Sequence, residues 1–233
     1  MNDWGNIMTK DITAIYEDIC NAIITLKLVP GEKISETEAS RKYNVSRTPI
    51  RDVFKRLEDN SLLEIRSQSG TFVTKINMSN IADLVFIRYS CEYSVLSEIA
   101  GKLTKENYEY LMRNLSLQQQ LSSSKASNEE LATSYFTLDN DFHRYLYALA
   151  GKEGVLKLLN SDQPNFQRYR FVTFLRDDDE LKRLDEVHTG MVKALMDNDI
   201  DALSKNVYEH NFSGLRGIEK VMQDHPDYFD IRK

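Results

Sequence analysis

Cysteine and long apolar runs are scarce in this sequence of 233 residues. The two cysteines, Cys20 and Cys91, each fall at an apolar-pattern position of a predicted helix, so we expect small core side chains and no disulfide bond. No run of about 18 or more apolar residues occurs, and the first residues lack the basic and apolar blocks of a signal peptide. The sequence therefore argues against a membrane-spanning protein, and we expect a cytoplasmic one.

Positive charge is also in deficit over the whole chain, which has 30 Lys+Arg, 36 Asp+Glu and a formal net charge of −6. On its own this balance argues against a nucleic-acid-binding protein. The local distribution is different, because six basic residues and one acid between Arg41 and Arg56 give that segment a net charge of +5. Such a stripe supplies phosphate contacts with a steep salt dependence, while the acidic remainder discourages indiscriminate binding to DNA.

A helix predicted over residues 46–58 has two different faces. Apolar side chains recur at positions i, i+3, i+4 and i+7 and form one stripe that packs against a core: Ile50, Val53, Phe54 and Leu57. The opposite face carries short hydroxyl donors and long cationic side chains: Ser46, Arg47, Thr48, Arg51 and Lys55. Side chains of these types contact phosphates and base edges, so this face is a candidate DNA-reading surface.

The segments around this helix predict a winged helix-turn-helix. Upstream, the capping-box spacing of Ser35 and Glu38 opens a short helix, and a tight turn at 44–45 leads to Ser46, which caps the second helix. Downstream, Asn60 stands where a helix end needs the left-handed conformation. Residues 62–66 and 71–75 then read as two strands joined by a turn, which form the wing.

After residue 77 the pattern changes to long helical periodicity without any strand signal. Helices are predicted at about 79–102, 105–123, 129–150, 153–176, 178–197 and 199–223. A chain of 233 residues can bury two modest cores. We therefore expect a mainly α protein with a winged helix-turn-helix DNA-binding domain at 1–76 and an all-α helical bundle at 77–233.

Four residues of the predicted bundle have the chemistry of metal ligands. Asp139 and His143 are spaced i, i+4 and project from one helix face, while His188 and His210 lie on the two following long helices. One carboxylate and three imidazoles suit a divalent metal ion such as zinc, nickel or manganese. Spacing alone leaves open that these are surface or hydrogen-bonded core residues, because it does not show that distant helices converge.

Several linked motifs give the chain a resemblance to a known family. Residues 28–36, 45–51, 57–58 and 70–73 resemble, in this order, the motifs of the GntR family of bacterial transcriptional regulators. Residues 138–143, 186–188 and 209–210 are similar to the ligand-binding domain of its FadR subfamily, the FCD domain. Members with this Asp-His-His-His pattern bind a divalent metal, so the resemblance implies that Asp139, His143, His188 and His210 do so here.

The resemblance also implies a function for the whole chain. We expect a homodimer that presents two recognition helices to adjacent half-sites of a pseudo-palindromic double-stranded DNA operator. The resemblance favours repression over activation. The implied DNA contacts are Ser46, Arg47, Thr48 and Arg51, with Gly70 allowing the wing backbone to approach DNA. Four protein ligands on an ion that accepts six leave two positions, so our hypothesis is a small carboxylate effector held at the metal. Arg88, which matches an arginine of the family's first bundle helix, could pair with it. Arg168 and Arg170 are weaker candidates, because arginines on amphipathic helices usually point to solvent.

Two other functions stay open at this point. Three histidines and a carboxylate could form the site of a metal-dependent enzyme acting on a small organic acid, although the sequence shows no arrangement of a general base or nucleophile. Alternatively, the bundle binds no ligand and only dimerises the DNA-binding domain.

Overall fold

The computed structural model describes residues 11–79, 81–124, 128–161, 164–175 and 178–230. These residues form two compact units. The first contains residues 11–77 together with 227–230, and the second contains the described residues between 78 and 226.

The first unit combines three helices with a small antiparallel sheet. Its helices are α1 (Ile12–Ile24), α2 (Glu36–Tyr43) and α3 (Arg47–Asp59). Its sheet has the strand order β1-β3-β2, formed by β1 (Lys33–Ile34), β2 (Leu63–Arg66) and β3 (Gly70–Val73). The predicted winged helix-turn-helix is confirmed. Strand β1 was not predicted, because two residues are too few to show an alternating pattern.

Local signals set the ends of α2 and α3. Ser35 caps α2 by accepting hydrogen bonds from the amides of Thr37 and Glu38, at 3.2 and 3.4 Å. Asn44 ends α2 in the left-handed conformation, with φ 51°. The apolar stripe predicted on α3 is buried: Ile50, Val53, Phe54 and Leu57. This stripe and α1 share one hydrophobic core, which fixes the orientation of the opposite face of α3.

The expectation of a left-handed Asn60 is wrong. Asn60 has φ −89°, and Ser61, one residue later, has φ 58°. The amide of Ser61 donates to Glu58 O, and the amide of Leu62 donates to Leu57 O at 2.8 Å. This pair of bonds places the left-handed residue after the C-cap. The side chain of Asn60 instead donates to the Tyr16 hydroxyl at 2.8 Å.

The last described residues return to the first unit. Strand β4 (Ile76–Asn77) pairs in parallel with β5 (Phe229–Asp230), which follows a 3-10 turn at Pro226–Tyr228. Phe229 is buried there. Residues from both ends of the described chain therefore complete one unit.

The second unit is an all-α bundle, as predicted. Its helices are α4 (Ile81–Ile99), α5 (Lys105–Ser122), α6 (Asn128–Leu149), α7 (Glu153–Ser161), α8 (Pro164–Phe174), α9 (Asp178–Asp197) and α10 (Ile200–Asp224). Apolar side chains of α4, α5, α6, α9 and α10 share its main core, which includes Leu96, Leu115, Leu146, Leu195 and Val207.

The single helix predicted over 153–176 is wrong. The structure has two helices there, α7 and α8, and residues 162–163 between them lie outside the described part of the chain. Pro164 takes the first position of α8, where a missing amide hydrogen costs no helical hydrogen bond. Arg168 and Arg170 do not point to solvent, because α8 packs against α4, α6, α7 and α10 and both side chains are buried.

Two expectations from composition can be compared with these elements. Cys20 and Cys91 are free thiols, and both are half-buried rather than fully inside a core. Burial raises the pKa of the Cys20 thiol to about 11.

Across the described ranges, none of the helices combines the length and the apolarity needed to cross a membrane.

Candidate metal centre and nucleic-acid interface

The start of α3 presents hydroxyl and cationic side chains to solvent. Ser46 occupies the N-cap position, but its side chain makes no capping hydrogen bond. Ser46, Arg47 and Thr48 are all exposed. Helix N-termini also carry unpaired backbone amides that attract phosphate oxygens. The predicted DNA-contacting residues of this turn therefore lie outward on a rigid scaffold.

The cations of the basic stripe differ in how they are paired. Arg51 Nε lies 2.9 Å from Glu36 Oε2 of α2, although 65% of the Arg51 side chain is exposed. Lys55 pairs with Glu58 and Asp59 of its own helix, at 3.0 and 3.2 Å. Among the described residues, Arg47 makes no ion pair. Neighbouring acids thus offset the charges of Arg51 and Lys55, whereas Arg47 has no ion-pair partner among the described residues.

Gly70 begins the second wing strand in a conformation that favours glycine. Its φ is 117°, and a Cβ atom at this position would lie 2.5 Å from Cε of Lys33. A side chain here would strain the backbone and displace Lys33. The wing backbone keeps its conformation because this residue has no side chain.

The four predicted ligands converge in the second unit. Asp139 and His143 come from α6, His188 from α9 and His210 from α10, and one ligand atom from each lies within 4.8 Å of the others. Asp139 Oδ1 is 3.6 Å from His143 Nε2 and 3.4 Å from His188 Nε2. His188 Nε2 is 3.1 Å from His210 Nδ1. The alternative of dispersed surface residues is therefore excluded for this set.

The cluster fits a divalent transition-metal ion. Metal bonds of roughly 2.0–2.2 Å place neighbouring ligand atoms about 3–3.5 Å apart. Three separations in the cluster, 3.1, 3.4 and 3.6 Å, are close to this range, and all four atoms lie within 4.8 Å of one another. Asp139 Oδ1 and His143 Nε2 are buried and have no hydrogen-bond partner among the described residues. Buried polar atoms normally find partners, and these two lie 3.6 Å from each other. Zinc, nickel and manganese all accept this donor set.

Other buried side chains hold three of the ligands from behind. His143 Nδ1 lies 2.6 Å from Glu92 Oε1, whose second oxygen accepts a hydrogen bond from Asn211 at 2.7 Å. Arg170 pairs with Asp139 Oδ2. Gln118 Oε1 lies 2.8 Å from His188 Nδ1. Each contact leaves the other atom of its ligand directed into the cluster.

The electrostatics favour the metal-binding protonation state for three of the four residues, Asp139, His188 and His210, and oppose it for His143. Burial opposes ionisation of Asp139, but Arg170 and His143 outweigh this effect and hold its pKa well below the ordinary value. Burial lowers the pKa of His188 to about 4 and holds the pKa of His210 well below its ordinary value. Burial also acts against protonation of His143, but the carboxylates of Glu92 and Asp139 raise its pKa overall. An ionised carboxylate and neutral imidazoles are the forms that bind metal.

Arg88 faces a small cavity beside this cluster. The cavity has a volume of about 40 Å³ and is lined by Arg88, Arg170, Thr173, His210 and Ser213, among others. Arg88 is 2% exposed, and Nη1 donates to Asn160 Oδ1 at 3.2 Å. Its Nε and Nη2 atoms have no hydrogen-bond partner among the described residues. Guanidinium N–H groups of this kind are good hydrogen-bond donors to the oxygens of an anion.

Comparison with known proteins identifies both units. Residues 12–73 match the family model described as bacterial regulatory proteins, gntR family, and residues 83–212 match the FCD domain, which alone spans more than half of the chain. The chain belongs to the GntR family of bacterial regulators and carries an FCD domain. Membership of this family makes the protein a transcriptional regulator, as the sequence motifs predicted.

Relatives of this GntR regulator support the same family. It is 28% identical over 215 residues to the HTH-type transcriptional repressor RspR of Escherichia coli, covering 92% of each chain. It is 29% identical over 182 residues to the Nta operon transcriptional regulator of Aminobacter aminovorans, covering 78% of this chain and 81% of that one. These relatives are regulators, which sets the enzyme alternative aside.

Solved structures share the fold. E. coli McbR/YncC superposes with a TM-score of 0.72 at 16% identity, covering 94% of this chain and 100% of that one. A GntR transcriptional regulator from Rhodococcus sp. RHA1 superposes with a TM-score of 0.66 at 20% identity, covering 89% and 99%.

Sequence reasoning missed Glu92 and Gln118, and it named Arg170 only as a weaker effector candidate and not as a partner of a ligand. Arg170, Glu92 and Gln118 contact ligands from helices other than the ligand's own. Glu92 follows Arg88 by four residues, so both lie on one face of α4, and this spacing was a usable signal. Nothing in the local sequence marks Gln118 or Arg170.

Proposed function

We propose that this GntR regulator is a cytoplasmic repressor whose FCD unit binds a divalent metal ion and a small carboxylate effector that modulates operator binding. The observation that carries this proposal is the ligand cluster. Four ligand atoms converge, and two of them are buried atoms whose partners are not found among the described residues. The E. coli relative RspR is a repressor, which supports repression over activation.

DNA binding is assigned to the exposed start of α3 and to the wing. Arg47 and Arg51 supply base-edge or phosphate contacts, and Ser46 and Thr48 supply short-range contacts. Gly70 lets the wing backbone approach the minor groove or the phosphates. The exposure of the side chains at the start of α3 and the free charge of Arg47 support this assignment.

The metal ion is assigned to Asp139, His143, His188 and His210. Zinc, nickel and manganese are the candidates. An ion that accepts six ligands keeps two positions for the oxygens of a small acid. The protein favours the metal-binding protonation states of Asp139, His188 and His210, whereas His143, whose pKa is raised, has to lose a proton when the ion binds. Glu92, Gln118 and Arg170 contact three of these side chains.

The effector is assigned to the cavity between His210 and Arg88. Its volume of about 40 Å³ has room for about three water-sized groups, which suits a short acid. Arg88 offers two unused N–H donors to a carboxylate. A ligand of this kind alters DNA binding only if it prefers one arrangement of the protein.

The regulator is expected to bind its operator as a homodimer. Two copies present two α3 helices to adjacent major-groove half-sites of a pseudo-palindrome. Sedimentation of the purified protein with and without operator DNA measures this assembly directly.

One series of measurements tests the whole proposal. Metal analysis of the purified protein comes first, followed by footprinting on genomic DNA, and then by titration of short organic acids into metal-loaded protein. We expect about one divalent ion per chain, a protected pseudo-palindrome, and an acid that changes DNA affinity. A protein that binds DNA but takes up neither ion nor acid would instead match a ligand-free dimerisation bundle.

A further inference from the structure

A chain of buried amide groups leads from the backbone of α6 to the ligand His188. Asn114 Nδ2 donates to Leu138 O at 3.1 Å, and Gln118 Nε2 donates to Asn114 Oδ1 at 2.7 Å. Gln118 Oε1 then lies 2.8 Å from His188 Nδ1. Gln118 is wholly buried and Asn114 is 8% exposed, so solvent does not compete strongly for these groups.

The backbone carbonyl of Leu138 fixes the direction of every hydrogen bond in this series of amide groups. A backbone carbonyl can only accept, so Asn114 must turn its NH2 group to Leu138 and its oxygen to Gln118. Gln118 must then turn its NH2 group to Asn114 and its oxygen to His188. An amide oxygen also only accepts, so Nδ1 of His188 must carry the proton. The lone pair of His188 is thereby placed on Nε2, which lies 3.4 Å from Asp139 Oδ1.

We propose that Asn114 and Gln118 are positioning residues of the metal centre, which hold His188 in the Nδ1–H form so that Nε2 is its ligand atom. This inference rests on the proposed binding of a metal ion at the cluster. Partners that orient ligand histidines typically change metal affinity about 10- to 100-fold when they are lost.

The two orienting contacts on ligand histidines differ in charge. The ionised carboxylate of Glu92 lies 2.6 Å from Nδ1 of His143 and adds a second buried negative charge to that of Asp139. The amide chain orients His188 without adding any charge. A third carboxylate next to the cluster would have to be neutralised or desolvated at a cost. The amides give His188 a fixed orientation and leave the charge of the ligand set unchanged.

The metal affinity of the variant Gln118→Met tests whether the hydrogen-bonded amides orient His188. Methionine is similar in length but accepts hydrogen bonds only weakly, so the ring of His188 loses its partner. We expect the affinity for zinc, measured by competition with a chelator, to fall about 10- to 100-fold. Gln119→Met is the matched control, because Gln119 is the exposed neighbour on the same helix. Gln118→Glu keeps an acceptor for the Nδ1 proton and is expected to retain metal affinity, while its buried carboxylate, which cannot donate to Asn114, is expected to lower the stability of the metal-free protein.

Nitrogen-15 NMR of the metal-free protein gives a second readout that does not depend on metal uptake. We expect His188 to show the Nδ1–H form in the wild type and in Gln119→Met, and a mixture of both forms in Gln118→Met. An Nε2–H form in the wild type would overturn the proposal, even if Gln118→Met fails to fold. So would an affinity of Gln118→Met within about threefold of the wild type.

These measurements separate this inference from the proposed function. A wild-type protein that takes up no divalent ion would refute the metal centre, and the NMR spectrum would still decide whether the amide chain fixes His188. A wild-type protein that binds zinc with unchanged affinity in Gln118→Met would refute the role of the amide chain alone.

Discussion

The two units use charged side chains in opposite ways. In the winged helix-turn-helix, Arg47 and Arg51 are exposed, and the contact of Arg51 with Glu36 lies at the surface. In the helical unit, Arg170 and Asp139 are buried against each other. Water and salt screen exposed charges, whereas a buried charge without its partner costs several kcal/mol. Substitutions in the helical unit should therefore have the larger effects, and this difference can be measured.

Asp139→Asn should have the largest effect. It removes the anionic ligand and leaves the buried guanidinium of Arg170 without its countercharge. We expect metal affinity to fall by more than about 100-fold, beyond the loss typical of outer contacts. The free energy of unfolding of the metal-free protein should fall by about 3–5 kcal/mol. Chelator competition and denaturant titration measure the two quantities.

Asp141→Asn is the control for this change. Asp141 lies on the same helix and pairs at the surface with Arg144, at 2.8 Å. Its removal should change stability by no more than about 0.5 kcal/mol and leave metal affinity unaltered. If Asp139→Asn keeps full metal affinity, Asp139 is not a metal ligand. The expectation that substitutions in the helical unit have the larger effects would then be weaker.

Arg88→Gln should have the next largest effect. Charge-assisted hydrogen bonds contribute about 1.5–3 kcal/mol each, so effector affinity should fall roughly 10- to 100-fold. Metal affinity should stay unchanged, because Arg88 contacts Asn160 and not a ligand. Calorimetric titration of the acid into metal-loaded protein gives the result. Arg144→Gln, an exposed arginine on α6, is the control, and equal losses in both variants would exclude a specific carboxylate contact.

The sequence predicted the exposed residues of the first unit better than the contacts between helices in the second unit. The candidate DNA-reading face lies on consecutive residues of one helix, so periodicity and caps were enough to place Arg47 outward. The ligand set was found by residue type, but its convergence depends on α6, α9 and α10 together. Arg168 and Arg170 were misjudged because α8 is covered on nearly all sides, which a polar sequence does not reveal. Contacts between helices, such as Gln118 with His188, leave no local pattern.

Arg47→Ala should have a smaller effect than the buried substitutions. A lost base contact costs about 1–3 kcal/mol in discrimination, and a lost phosphate contact lowers the salt slope by about 1. We expect operator affinity to fall about tenfold, with stability nearly unchanged because the side chain is exposed. Fluorescence anisotropy at several salt concentrations distinguishes the two kinds of contact. Arg113→Ala, an exposed cation of α5, controls for net charge and should leave operator affinity unaltered.

Glu36→Gln should have the smallest effect, and it should raise operator affinity, whereas Arg47→Ala lowers it. Surface ion pairs are worth about 0–1 kcal/mol, so freeing Arg51 from Glu36 costs little stability. The freed Arg51 and the lost negative charge should raise operator affinity by a few-fold at low salt, about 1 kcal/mol or less. Glu38→Gln removes the same charge from the same turn of α2 but has no contact with Arg51 among the described residues. Equal gains in both variants would show that only net charge matters, whereas a loss in Glu36→Gln alone would show that Glu36 holds Arg51 in its DNA-contacting position.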